Sequence, residues 1–383
     1  MMHIAFITPE YPHSKVNRVA GIGTSIRNLI QGMRDHCKDP MQFSLFIYGQ
    51  QEDLYFEENG ICFHLIKKRS YRFGGFFWYR KHINRYVNKV VKKDNIQCIE
   101  APDWTGITAF MSFKIPLLIR LHGTDTYFCD LEGRAVKRKN YFFERNALKR
   151  TNTIVSVSAF TASRTKALFG LKKPIDVIHN SIDLNNFTPL RDIKTAHSIL
   201  YFGSIIRKKG VLALAKAFNH VTEQDKSTTL ILLGQDVIDN KTGKSTLSLF
   251  RNLLTPEAKK RITHISHVPY AKVKKHIQQA AVVCLPSYAE AFPMTWLEAM
   301  AMEKAMVTSD IGWAKEVMIH EKTGLMVNPD EESVLAEALI TLLKEREQAT
   351  HYGKAARKKL LTNFAPGHIA RQNHNVYQKL IDS

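Results

Sequence analysis

The sequence predicts an α/β protein of two doubly wound, Rossmann-like domains facing each other across a cleft. Three observations predict it. Short apolar runs alternate with amphipathic helical segments along nearly the whole chain, and the alternation pauses once near the middle. The chain has 383 residues, 44% of them hydrophobic, enough for two ordinary domains with sizeable cores.

In the first half the candidate strands are His3–Thr8, Phe43–Tyr48, Ile61–Leu65, Ile96–Glu100, Leu117–Leu121 and Thr153–Val157. Helix-like segments such as Ser25–Arg34, Phe77–Lys92 and Leu131–Lys149 lie between them, an order that implies a parallel sheet wrapped by helices. The N-terminal apolar run is too short for a signal-peptide core and reads as a buried strand. Asn185, Asn186 and Pro189 interrupt the pattern within Asn180–His197, which reads as a linker between domains at 1–190 and 191–364. Alternation restarts with Ile199–Gly203, Val211–Val221, Thr229–Leu233, Ile262–Ile265, Val273–Gln279, Val282–Leu285, Met294–Met302 and Ala305–Thr308. Helices over Glu331–Glu345 and Ala349–Leu361 close the second domain, and the tail at about 365–383 is expected to pack back on the first.

No run approaches the roughly 20 apolar residues of a membrane span. Five cysteines, an odd number with no C-x-x-C pair, argue against a disulfide framework and a structural zinc site, and suggest a reducing, cytoplasmic setting. The formal charge of +20 calls for an anionic partner. Part of it is concentrated in Lys67, Lys68, Arg69, Arg72, Arg80, Lys81, Arg85, Lys89, Lys92 and Lys93, with Phe73, Phe76, Phe77, Trp78 and Tyr79 in the same stretch and no acid. This is either a solvated helix face beside core-facing aromatics or a surface that sits on an anionic membrane. No recognition motif supports nucleic acid as the partner.

Ligands of doubly wound sheets bind beyond the carboxyl ends of the strands, so the loops there carry the candidate chemistry. After the first strand comes Ala20-Gly21-Ile22-Gly23-Thr24; its glycines would let backbone approach a ligand, although the G-x-G-x-x-G signature is not met. His122 follows the strand Leu117–Leu121, and is either a satisfied structural histidine or a site residue. Arg207, Lys208 and Lys209 stand between a strand and a helix, where cations could neutralise a diphosphate or merely cap. The strongest signal is Pro286–Met300: a strand, a loop bearing Glu290, and a helix bearing Glu298. If that helix begins near Pro293, its free first-turn amides suit a phosphate, and the two carboxylates could bracket an extended ligand as acceptors for sugar hydroxyls.

The Glu290…Glu298 spacing resembles the E-x7-E motif of the family-four retaining glycosyltransferases of the GT-B fold, and the likeness spans nearly the whole chain. Leu121-His122-Gly123-Thr124-Asp125 resembles that family's H-G-S-D element, Ser156–Thr161 its V-S-x-x-T segment, and Val177–Asp183 with Phe187 and Pro189 its hinge. Lys209-Gly210 resembles its K-G pair, and Thr323-Gly324-Leu325 through Pro329 its late T-G-L…P element.

The resemblance implies that Glu298 binds ribose, Glu290 the donor sugar and Lys209 the diphosphate, and that His122 sits by the reacting sugar. Amides of Ala291, Phe292, Met294 and Thr295, and of the Gly21–Gly23 loop, would hold sugar and phosphate, with the base met by backbone near Val268. The first domain would take the acceptor and the second the nucleotide sugar. Where the family usually has an arginine, this chain has Ser204, for which Arg207 is expected to compensate. Ala291 and Pro293 replace two common glycines, and Pro293 has no amide to donate. No D-x-D occurs, consistent with metal-independent transfer and with no cofactor beyond the nucleotide-sugar substrate.

The expected function is retaining transfer of a hexose from a UDP- or GDP-sugar to a glycan or lipid-linked hydroxyl in surface polysaccharide biosynthesis, at the inner membrane face or free in the cytoplasm. The alternatives are a non-catalytic sugar- or nucleotide-binding relative within a polysaccharide assembly complex, and a sugar-nucleotide epimerase, which the E-x7-E match disfavours.

Overall fold

The computed structural model describes residues 1–190 and 195–383. They form two compact units, Met1–Ser181 with Ala365–Ser383, and Ile182–Phe364. Residues 191–194, part of the expected linker and the start of the expected second domain, lie outside the described residues.

The first unit runs β1 (Met2–Thr8), α1 (Gly21–His36), β2 (Met41–Gln50), β3 (Leu54–Glu58), β4 (Ile61–Lys67), α2 (Gly75–Lys93) and β5 (Cys98–Pro102). It continues with β6 (Leu117–Leu121), α3 (Asp125–Leu131), α4 (Arg138–Arg150), β7 (Thr153–Ser156), α5 (Ala159–Phe169) and β8 (Asp176–Val177). The sheet order is β3-β4-β2-β1-β5-β6-β7-β8, parallel except for β3 against β4. Alternation along β1 explains why both faces must be covered. Ile4 and Phe6 enter a core with Ile26, Leu29 and Ile30 of α1, while Ala5 and Ile7 enter another with Ile83 and Val87 of α2.

Two elements differ from the sequence expectation. The β3–β4 hairpin was not expected, although Asn59-Gly60 is a strong hairpin signal. Both residues have positive φ, 50° and 65°, as a two-residue type I′ turn requires. The helix expected over Leu131–Lys149 begins only at Arg138, as α4; Leu131 instead ends α3, which the sequence reading did not include, and Gly133 at φ 60° lies just past that end.

The basic stretch also divides. Arg80 is buried, not a surface charge: its guanidinium donates to the carbonyls of Phe76, Thr105 and Gly106 and lies 4.8 Å from the Phe143 ring centroid.

The second unit runs β9 (Ser198–Phe202), α6 (Val211–Gln224), β10 (Thr229–Leu233), α7 (Thr246–Leu253), α8 (Pro256–Lys259), β11 (Ile262–Ile265) and α9 (Tyr270–Gln279). Then follow β12 (Val282–Leu285), α10 (Met294–Ala301), β13 (Met306–Ser309), α11 (Ala314–Val317), β14 (Leu325–Val327), α12 (Glu332–Lys344) and α13 (Arg346–Asn363). Its six strands are all parallel, in the order β11-β10-β9-β12-β13-β14. The last helix, α14 (Pro366–Asp382), returns to the first unit and packs on α1, where Gly32 leaves room for it: a Cβ there would lie 3.3 Å from the Pro366 carbonyl.

Candidate active site

In the second unit β9 and β12 are hydrogen-bonded neighbours, so the loops leaving their carboxyl ends lie side by side. The amides of Tyr288 and Ala289 donate to the Lys208 carbonyl at 2.8 and 3.3 Å. Gly210, at φ 75°, lets the loops meet: a Cβ on it would fall 1.9 Å from the Pro286 carbonyl oxygen. This backbone contact brings Lys209 to Glu290, with Nζ 2.5 Å from Oε1. The two form an ion pair with the carboxylate largely buried. On the other flank Gly203 faces Thr295, its would-be Cβ 3.9 Å from Cγ2.

α10 starts at Met294 with Pro293 as its N-cap, no capping side chain and no acid in the first turn. The sequence placed Pro293 just inside the helix; it stands one position outside. Met294 and Thr295, in the first turn, are half-buried, and amides there carry the positive end of the helix dipole. Ala291 is buried, and the buried Phe292 ring packs edge-on against Phe364 with centroids 5.4 Å apart, anchoring the loop to the core. Glu298, also buried, accepts a 2.7 Å hydrogen bond from the Tyr270 hydroxyl, and Tyr270 packs edge-on against Phe187. Val268, half-buried in the loop before α9, stands two positions from Tyr270 and so near Glu298.

Arg207 lies in a short 3-10 turn, Arg207–Lys209. It donates to both carboxylate oxygens of buried Asp239 at 2.7 and 2.8 Å. That pairing holds the Asp239 carboxyl well below the usual carboxylate range. The guanidinium expected to compensate for Ser204 is therefore already paired with a carboxylate that the sequence reading did not identify. The Ser204 carbonyl accepts from the buried Tyr201 hydroxyl at 2.7 Å.

The remaining candidates belong to the first unit. The Gly23 amide donates to Glu10 Oε1 at 3.1 Å, so a carboxylate of the chain itself already occupies the start of α1. A Cβ on Gly23 would lie 2.7 Å from the Glu10 carbonyl oxygen, whereas one on Gly21 would meet nothing within 4 Å. Packing explains Gly23; only Gly21 is open to a ligand's close approach. Burial raises the Glu10 carboxyl above its usual value despite Arg18 nearby.

His122 is half-buried at the end of β6. Asp103 accepts the His122 amide through Oδ1 at 2.9 Å and the Gly123 amide through Oδ2 at 3.1 Å. Glu144 accepts the Asp125 and Thr126 amides at 2.9 and 3.2 Å, which fixes the start of α3. Burial pushes the Asp103 carboxyl up to about 8 and the Glu144 carboxyl up to about 7. Burial, then the charge of Arg120, pushes the His122 imidazole down to about 3, so it is neutral at ordinary pH. None of Glu10, Asp103, Glu144 and Asp239 was singled out from sequence. Glu10 and Asp103 follow the carboxyl ends of β1 and β5, the one signal that could have flagged them.

Two family models divide the chain between them: Glycosyltransferase Family 4 matches residues 19–186 and Glycosyl transferases group 1 matches residues 186–359. The chain belongs to the family-four glycosyltransferases of the GT-B fold. A glycogen synthase of Mycobacterium tuberculosis is 25% identical over 292 residues, 73% of this chain and 68% of that one. Among solved structures, the sucrose-phosphate synthase of Thermosynechococcus elongatus superposes with a TM-score of 0.81 at 18% identity, covering 100% of both chains. HepE of Anabaena, in complex with UDP and glucose, superposes with a TM-score of 0.76 at 17% identity, covering 99% of this chain and 100% of that one. This glycosyltransferase therefore keeps Lys209, Glu290 and Glu298 together in one unit, around the start of α10. Among its described residues no helix is long and apolar enough to cross a membrane.

Proposed function

We propose that this glycosyltransferase moves a hexose from a UDP- or GDP-sugar to a hydroxyl of a glycan or lipid-linked acceptor, with retention at the anomeric carbon, without a metal ion, and in polysaccharide biosynthesis. The observation that carries the reading is the Lys209–Glu290 pair beside the uncapped start of α10, with Glu298 less than two turns further along. A nucleoside diphosphate sugar presents three groups in a row: a ribose diol, two phosphates and a sugar. Glu298, oriented by Tyr270, accepts from the diol. Lys209 and the first-turn amides of α10 meet the phosphates, and Glu290 accepts from the sugar hydroxyls. The HepE complex with UDP and glucose and the polymerising activity named for the glycogen synthase are consistent with this donor and acceptor.

In the transfer, the bond from the anomeric carbon to the β-phosphate oxygen breaks and its electron pair stays on that oxygen. The acceptor oxygen bonds the anomeric carbon on the same face, and its proton passes to the departing diphosphate. Lys209 then meets its largest negative charge as the diphosphate leaves, which is where a fixed cation accelerates a reaction. His122, neutral, serves as a hydrogen-bonding group for a sugar hydroxyl and not as a counter-charge.

Calorimetry and thermal shift with UDP, GDP and ADP test the reading. UDP or GDP is expected to bind. Glu298→Ala should weaken that binding by roughly tenfold to a hundredfold, the worth of a hydrogen bond to a charged group. Lys209→Ala should lower turnover more than substrate affinity, EDTA should leave the rate unchanged, and NMR of the first-formed product should show the donor's anomeric configuration. Absence of nucleotide binding would sink the proposal. Tight binding without transfer to any acceptor would make the chain a non-catalytic relative.

A further inference from the structure

Outside these loops, the most unusual surface lies where α2 and α4 meet. Four large apolar side chains there face solvent: Phe73 is 77% exposed, Phe76 43%, Trp78 48% and Phe142 55%. Ring contacts join the two helices, with Phe76 5.0 Å and Phe142 5.9 Å from the buried Phe143 ring. The exposed charges on these two helices and the residues just before them have one sign. α2 and the turn before it present Arg72, Arg85, Lys89, Lys92 and Lys93; α4 and the residue before it present Lys137, Arg138, Lys139, Arg145, Lys149 and Arg150. The one acid on either helix, Glu144, is buried and turned to the start of α3. Lys139 lies 4.7 Å from the Phe76 ring centroid and Arg72 5.6 Å from that of Phe73, so cations and rings form one surface.

We propose that this surface docks the enzyme on an anionic lipid bilayer, with Phe73, Trp78 and Phe142 entering the headgroup boundary and the surrounding lysines and arginines meeting lipid phosphates. Exposed aromatic side chains clustered on a charged protein mark an interaction site, and their chemistry selects the partner. A second copy of the chain would bring two basic faces together, which repulsion opposes. A nucleic acid would satisfy the charge, but the sequence carries no nucleic-acid recognition motif. Phenylalanine and tryptophan beside a ring of cations suit a membrane interface, where apolar insertion and electrostatic attraction add. The donor chemistry proposed above lies in other residues and does not depend on this surface.

Co-sedimentation of the full chain with two kinds of vesicle tests the inference: phosphatidylcholine alone, and equal parts phosphatidylcholine and phosphatidylglycerol. Binding is expected to the second only, and to weaken as salt rises. Neutralising three exposed cations together, as Arg72→Gln, Lys139→Gln and Arg145→Gln, should lower partitioning by roughly a hundredfold. Phe73→Ser with Phe142→Ser should lower it by about tenfold or more with the charge intact. These residues are exposed, so nucleotide thermal shifts of the variants should match the wild type and report an unchanged fold. Equal behaviour toward both vesicle types overturns the proposal. So does a single-stranded oligonucleotide that binds where vesicles do not, which would make the same rings a base-stacking face.

Discussion

Gly210 makes clear why single residues decide this site. At φ 75°, with a would-be Cβ 1.9 Å from the Pro286 carbonyl oxygen, it satisfies two demands that alanine cannot. The left-handed backbone alone costs an L-residue about 1–2 kcal/mol, and the overlap must also push the β9–α6 and β12–α10 loops apart. Gly210→Ala is therefore expected to lower Tm and to weaken nucleotide binding together, because Lys209 reaches Glu290 only across that contact. Gly21 is the control. Nothing lies within 4 Å of its would-be Cβ, and it stands in the first turn of α1. Gly21→Ala should hold or slightly raise Tm, since alanine is the better helix former by up to about 1 kcal/mol. A fall in kcat/KM without a fall in Tm would mark Gly21 as a place where ligand approaches backbone; no change in either would remove it from the site. The sequence could not separate Gly21 from Gly23. The sequence reading put both in one loop; they stand in the first turn of α1, and only the fold shows that Glu10 and Tyr11 press on the second.

At the scale of elements, what was legible in the sequence followed from short-range patterning. Strands such as Leu117–Leu121 and Val282–Leu285 were expected at the bounds observed, because a fully buried parallel strand is a short apolar run with polar or turn-forming ends. The spacing of Glu290 and Glu298 was legible for the same reason, being local. What escaped was a partner chosen at long range. Asp239 stands in the loop after β10, far from Arg207 in sequence, and nothing in Asp236–Asn240 announces the pairing. Its consequence can be measured. If Arg207 serves the departing diphosphate, Asp239 holds the guanidinium in place while weakening its charge. Asp239→Ala should then raise the apparent affinity for the nucleotide diphosphate and lower turnover, as a freed arginine binds the ground state without the geometry for the leaving group. Arg207→Ala should lower both. If Asp239→Ala and Arg207→Ala give identical kinetics, the pair is a brace between two loops and Arg207 has no role toward the donor.

Across the whole molecule, the chain leaves the first unit after Ser181 and returns to it at Ala365, so its last helix must be recognised by residues far away in sequence. A buried polar cluster supplies that recognition. Arg120 Nε and Nη2 donate to the two carboxylate oxygens of Glu100 at 2.7 and 2.8 Å. The Asn373 side-chain oxygen accepts from Arg120, and the Tyr377 hydroxyl donates to Glu100 at 2.6 Å. Removing one member of a buried ion pair strands the other, a loss of about 3–5 kcal/mol, while removing both is close to neutral. Glu100→Gln and Arg120→Met should therefore each destabilise the protein severely, and the double variant should recover most of the loss; additive losses would show that the pair is not coupled. The cluster also bears on His122, two positions beyond Arg120. The folded imidazole is held at about 3, first by burial and then by that charge, while the unfolded one titrates near 6.5. A depressed histidine stabilises the fold fully above the unfolded value and loses its contribution as pH falls from there toward the folded one. Acidification below about pH 6.5 should thus lower Tm, and His122→Asn should flatten that slope. Across pH 6 to 8, kcat/KM should show no limb from His122; a limb near pH 6.5 that vanishes in His122→Asn would mean that the imidazole ionises in the folded enzyme and acts as a cation after all.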